Sequence, residues 1–226
     1  MNRTFSSSFT LTALAIGLGT LPIQAGTIFS DLGPVGDVYN ANSGWTVSGS
    51  GIVGTSFTAA NLFTAGGGGG SVSQISLAVG HVTGLNTFYA SIWTDVNNLP
   101  GTQVAGARWD NLISSTSFGH CCGLVTINNI SGVSLTDGTS YFMILGPEST
   151  TDTSWNAWNW NSIGVTGLDL YSTDGGMSWN SNGTSFALGA FQIQSPSIPE
   201  PSTLLLLGVG TGLLGGVRAL RRKSNL

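Results

Sequence analysis

Cys121 and Cys122 stand side by side, with His120 directly before them. Thiols next to an imidazole can form a disulfide, pair between molecules or bind a metal. Adjacent Cα atoms lie about 3.8 Å apart, whereas unstrained disulfides span roughly 4.4–6.8 Å. A vicinal bridge is therefore feasible but tight, and a structural or vicinal-disulfide role is the first expectation. Intermolecular pairing and metal binding stay open behind it. A structural zinc site needs about four ligands, and His81 is the only other histidine, so no metal site is assigned.

The remaining polar chemistry is sparse. A serine hydrolase of the nucleophile-elbow type needs Gly-x-Ser-x-Gly, which is missing here. A glycosidase needs two facing carboxylates. Nine acids lie between Asp31 and Asp174, but Asp95, Asp137 and Asp174 stand in turn contexts. Their expected role there is hydrogen bonding to the local backbone. The run Asp95-Val96-Asn97-Asn98 resembles the start of a calcium loop, yet the bidentate acid expected twelve positions in falls at Gly106, so the EF-hand pattern fails. Gly66 to Gly70 is no phosphate cradle, because no Gly-Lys-Ser/Thr follows, and reads as a flexible connection into a strand at Val72. No catalytic residue and no cofactor is assigned.

The most suggestive group is Trp155, Trp158 and Trp160, flanked by Asn156, Asn159 and Asn161. Indole faces with amide groups suit a sugar, which offers apolar ring faces and hydroxyls. The competing expectation, and the favoured one, is burial in the core. Alternation along a strand puts Trp158 and Trp160 on one face and Trp155 on the other.

The elements that position these residues follow from pattern. Ile75, Leu77 and Val79 alternate with small or polar partners. Phe88, Ala90 and Ile92 do so too, with Tyr89 and Trp93 opposite. Val125 with Ile127, Tyr141 with Met143 and Leu145, and Phe191 with Ile193 repeat the period of two. Pro100-Gly101, read as a type II turn, Asp137-Gly138 and Asp174-Gly175 punctuate them. Such spacing predicts an all-β fold of eight to ten strands, an antiparallel β-sandwich of jelly-roll type. Of the six basic residues only Arg108 lies in this middle region, against nine acids, for a net charge near −8. Such a surface repels phosphate backbones and excludes nucleic acid as a partner.

Both ends read as addresses. Arg3, an apolar stretch from Leu11 to Leu21, Pro22 and the small Ala25 make a signal peptide over 1–25, with cleavage near Gly26. The domain spans 26–193, and 194–201 is a linker ending in Pro199-Glu200-Pro201. Residues 202–226 form a membrane span and a basic end. Ser202 to Val217 carry no charge, and Arg218, Arg221, Arg222 and Lys223 follow. By the positive-inside rule this cluster stays cytoplasmic and leaves the domain beyond the inner membrane. A signal helix and a C-terminal transmembrane helix thus flank the sandwich.

Pro199-Glu200-Pro201, the apolar span and the terminal Arg-Arg-Lys together closely resemble the PEP-CTERM sorting signal. That resemblance implies an exosortase partner, a membrane enzyme of cysteine-transpeptidase type, which removes the tail. It further implies Sec-type export, a transient membrane anchor, and a destination at the surface or in the exopolysaccharide and biofilm matrix of a Gram-negative-type bacterium. The middle resembles a second family, the choice-of-anchor R domain, through DVYNANSGWTVSG, SIWTDVNNLPG, CCGLVTINN, LTDGTSYFMIL, WNSIGVTGLDLYSTDGGMSW and AFQI. No catalytic set comes with that likeness. The expectation is a non-enzymatic exported surface or matrix protein, with a carbohydrate-binding module lined by tryptophan as the alternative.

Overall fold

A computed structural model describes residues 25–197. The expected transmembrane helix, and the signal helix apart from its last residue Ala25, lie outside the described residues. So do Pro199, Glu200, Pro201, Arg218, Arg221, Arg222 and Lys223.

The chain runs β1 (Ala25–Ser30), β2 (Asn40–Ser48), the short helix α1 (Ser50–Val53), β3 (Thr58–Thr64), β4 (Gly70–Ser71), β5 (Gln74–Leu77), β6 (Val79–Gly84), β7 (Phe88–Val96) and β8 (Leu99–Leu112). It continues through β9 (Thr116–Ser117), β10 (Val125–Ile127), β11 (Ser134–Leu135), β12 (Ser140–Gly146), β13 (Ser154–Trp160), β14 (Thr166–Ser172), β15 (Asn180–Ala187) and β16 (Phe191–Ser197). A six-stranded sheet has the order β15-β14-β3-β12-β7-β8. Two four-stranded sheets have the orders β1-β16-β5-β10 and β2-β13-β6-β9, and β4 pairs with β11. The pairing is antiparallel apart from β6 with β9.

The strands outnumber the eight to ten that pattern predicts. Pieces as short as β4, β9 and β11 carry no readable period. The run from Ile75 to Val79 is also divided. At Ala78 the chain leaves one four-stranded sheet for the other, held by Ala78 N–H to Ala190 O (3.0 Å) and Asn159 N–H to Ala78 O (2.8 Å).

The period of two does its expected work. Ile75, Leu77, Val79, Phe88, Ala90, Ile92, Val125, Ile127, Tyr141, Met143, Leu145, Phe191 and Ile193 all enter one buried core. That core joins one face of the six-stranded sheet to both four-stranded sheets, with Phe63 of β3 meeting Phe191 of β16 edge-on at 5.4 Å. Removing these side chains from water supplies the main driving force, about 25 cal/mol per Å² of apolar surface. The opposite face of the six-stranded sheet is apolar too. Tyr89, Phe142, Ile144 and Leu170 are buried there, with Trp93 and Trp179 packed against them. Arg108 lies over the Tyr89 ring, 3.8 Å from its centroid.

Two turn assignments change. Pro100-Gly101 is not the turn between β7 and β8, since both residues belong to β8 and Pro100 pairs with Asp95. The chain reverses at Asn97 (φ 56°) and Asn98 (φ 64°). Two successive positive φ values match a type I′ turn, whose twist suits a hairpin. Asp95 Oδ1 accepts the Asn98 N–H at 2.9 Å, so the calcium-like run is this turn. The glycine run is likewise specified rather than open. Gly67 to Gly70 all have positive φ, and a Cβ at Gly69 would fall 2.5 Å from Asp137 N. Its strand is Gly70–Ser71, and Val72 lies just beyond it in the core.

Candidate functional site

β13 carries the tryptophans, and its neighbours decide their fate. Trp158 stands opposite Trp45 of β2 and Val79 of β6. Its side chain is 0% exposed. The indole N–H donates to Ala190 O at 3.2 Å, and the ring lies 5.7 Å from that of Phe191. A Cβ at Gly189 would come within 2.4 Å of the indole, so glycine is what lets the ring lie against the backbone. Trp160 is half-buried on the same face and tilts against Trp45 at 5.3 Å. Trp155 is half-buried, and among the described residues it makes no ring pair with either.

The flanking amide nitrogens are used internally, while Asn156 Oδ1 and Asn159 Oδ1 are buried without a hydrogen-bond partner among the described residues. Asn156 Nδ2 donates to Thr87 O, Asn159 Nδ2 to Asn40 O and Ala41 O, and Asn161 Nδ2 to Val165 O and Leu188 O. All three residues are buried. Trp158, the central ring of the Trp155, Trp158, Trp160 group, is therefore closed to a sugar, and the three amide nitrogens hold loops in place, while Trp155 and Trp160 stay half-exposed.

A different aromatic group is open. Trp45 and Thr46 of β2, Phe57, Tyr171 of β14 and Asn182 of β15 line a cleft of about 270 Å³, floored by Ala59, Asp169 and Leu170. The Trp45 ring is fixed by its N–H to Ala187 O (3.1 Å) and by edge contact with Phe186 at 5.9 Å. Phe57 and Tyr171 are 6.4 Å apart, centroid to centroid.

Beneath the rings runs a polar chain. Asp169 is 0% exposed, accepts from Asn61 Nδ2 on Oδ1 and from Asn182 Nδ2 on Oδ2. Asn61 Oδ1 in turn accepts the Gly189 N–H at 2.6 Å. Burial pushes the Asp169 carboxyl up to about 7, against the lowering pull of the two amides. Asp31 is a second such acid. It accepts the Phe191 N–H on Oδ1 at 2.7 Å, its Oδ2 has no partner, and burial again raises it to about 7.

Cys121 and Cys122 form a vicinal disulfide. Cys121 borders a polar groove of about 500 Å³ that includes Tyr39, Asn40, Asn42 and Asn161. The Tyr39 hydroxyl lies 3.0 Å from His120 O and 3.2 Å from Gly123 O, tying the loop down. His81 stands opposite Ser117 in the parallel β6–β9 pair. Among the described residues, no three His, Cys, Asp or Glu gather in a way that could hold a metal ion.

Most acids serve the backbone. Asp137 accepts from Gly68 N–H, Asp152 from Ser149 and Ser154 N–H, and Glu148 from Asn111 N–H. Asp174 accepts from Ser178 N–H, and the hydroxyls of Ser172 and Ser178 help hold its carboxyl down at about 2. Asp110 pairs with Arg108 at 2.7 Å.

Sequence reasoning missed the open cleft. Its residues come from positions 45, 57, 171 and 182, and no local spacing links them. The one local signal is a glycine: at Gly183 φ is +105°, where the β14–β15 register slips.

No curated protein and no solved structure matches the chain. Residues 197–223 match the model of the PEP-CTERM protein-sorting motif. The chain thus carries a PEP-CTERM sorting motif, the mark of an exported protein anchored transiently in the membrane and processed by an exosortase.

Proposed function

We propose that the chain is a non-enzymatic constituent of the cell surface or of an exopolysaccharide matrix. The Sec machinery would export it, its tail would hold it in the inner membrane, and exosortase cleavage would free or attach the folded domain. The observation that carries this reading is the sorting motif placed directly after β16. β16 lies inside its sheet, hydrogen-bonded to β1 on one side and β5 on the other, with Phe191 and Ile193 in the core. A tail fused to such a strand pulls on the whole domain, so whatever holds the C-terminus holds the folded unit. The two-layer arrangement reads as a β-sandwich of jelly-roll type. The acids support a structural reading, because eight of the nine between Asp31 and Asp174 hold backbone, amide or arginine groups. Carbohydrate binding is the second reading, favoured by the open aromatic cleft.

Deleting the exosortase in the native host tests the route. The chain is expected to accumulate in the inner-membrane fraction with residues 204–226 intact and to leave the surface fraction. Undiminished surface protein in the deletion strain would contradict it.

A further inference from the structure

We propose that the cleft between Trp45, Phe57 and Tyr171 is a subsite for one uncharged sugar unit, oriented by the side-chain amide of Asn182. Three features of the structure carry this.

The first is a built-in bulge. β14 and β15 pair as Asp169 with Gly183, then Leu170 with Ser181, so Asn182 is the extra residue on its strand. A β-bulge of this kind re-aims a side chain. Gly183 makes it feasible, since a φ of +105° is poorly tolerated by residues with a Cβ. The outcome is that Asn182 Nδ2 points inward to Asp169. The amide nitrogen is thus engaged by Asp169, and the side-chain carbonyl is what this lining residue has to offer a ligand as an acceptor. An oriented acceptor suits a hydroxyl.

The second is charge. The only carboxylate of the cleft belongs to Asp169, which is fully buried with both oxygens already taken by Asn61 and Asn182. What the cleft offers a visitor is aromatic surface, the Thr46 side and the Asn182 amide. An acidic sugar would want a cation, none lines the cleft among the described residues, and the domain's net charge near −8 opposes it further. A quaternary ammonium is the competing occupant of aromatic faces, and the choline arm of the test below separates it from a sugar.

The third is rigidity and size. Trp45 is held by its hydrogen bond to Ala187 O and by Trp160 and Phe186, so little freedom is lost on binding. At about 270 Å³ the cleft sits just under the roughly 300–1,000 Å³ of drug-sized sites. That admits one ring, such as a chain end or side branch, rather than a long run of polymer. The matrix reading supplies only the setting for this ligand, and binding is measured on the chain itself, so the two can fail separately.

The test is titration of the full-length chain, kept in a non-glycosidic detergent because of its apolar tail. The probes are the methyl glycosides of glucose, galactose, mannose and N-acetylglucosamine, followed by indole fluorescence and saturation-transfer NMR. At least one glycoside is expected to bind in the millimolar range. Tyr171→Ala and Asn182→Ala should each weaken it roughly tenfold, while Trp155→Ala, outside the cleft, should leave it unchanged. Melting curves confirm that the variants are folded, and saturation transfer on the wild type gives an answer that needs no variant. Three results would overturn the proposal: no glycoside binds the wild type, binding survives both cleft substitutions in folded protein, or choline binds in preference to every glycoside.

Discussion

Replacing Trp158 by alanine is expected to cost about 3–5 kcal/mol, the range for deleting a large aromatic from a packed core. The ring is fully enclosed, meets Phe191 at 5.7 Å and donates its N–H to Ala190 O. Its loss leaves a cavity where β13, β16 and the Gly189 backbone converge, and it strips Ala190 O of a partner. Domains of this kind are stable by only about 5–15 kcal/mol, so the variant should unfold at much lower urea or fail to reach the surface. Trp160→Ala should cost less, because that ring is half-exposed. Urea unfolding of the two variants checks the order. A loss under about 1 kcal/mol for Trp158→Ala would contradict the packing described here.

The second large effect is on pH. Asp31 and Asp169 both have carboxyls raised to about 7 in the folded chain, from an ordinary value of 3.8. Below pH 4 both folded and unfolded forms hold these protons, and the stabilisation is complete. As pH rises towards 7 the unfolded chain releases them while the folded chain retains them. Stability therefore falls across roughly pH 4–7 and levels off above, by a limit on the order of 4 kcal/mol per group. Asp174 works the other way outside that window. Its lowered carboxyl means a contribution lost as pH falls from about 4 towards 2. The stability maximum is thus expected near pH 3.5–4, in contrast to the usual maximum between about pH 5 and 8. Urea midpoints at pH 4.5 and pH 8 check this. Asp31→Asn, which keeps an oxygen for the Phe191 N–H, should remove about half of the slope. A midpoint that is flat or rises with pH would be inconsistent with two acids buried in this way.

How far the chain could be read in advance depended on whether a signal was local. The alternating runs of β5, β7, β12 and β16 are legible because a strand shows its buried face at every second residue. The hairpin at Asn97-Asn98 was hidden by the louder Pro100-Gly101 two residues on, and only the chain's actual path separates them. Asp169 was opaque for a different reason. In Gly-Leu-Asp-Leu-Tyr the leucines suggest the buried face and the acid the wet one. The six-stranded sheet buries both faces, however, with Leu170 on the outer cluster and Asp169 on the inner side beside Asn61. The Trp158 reading succeeded since one long aromatic on a low-charge chain needs burial, whereas the Trp45–Tyr171 cleft is assembled from distant strands and leaves no trace in spacing. The sorting tail was the most legible part, because its order of Pro-Glu-Pro, apolar span and basic end is itself the signal.

The sorting account meets its most direct test in the intact mass and terminal peptides of the protein recovered from the surface or medium of its native host. The expected form begins near Gly26 and ends close to Pro199-Glu200-Pro201, without the apolar span and the Arg221-Arg222-Lys223 end. A surface form that retains residues 204–226 would contradict it.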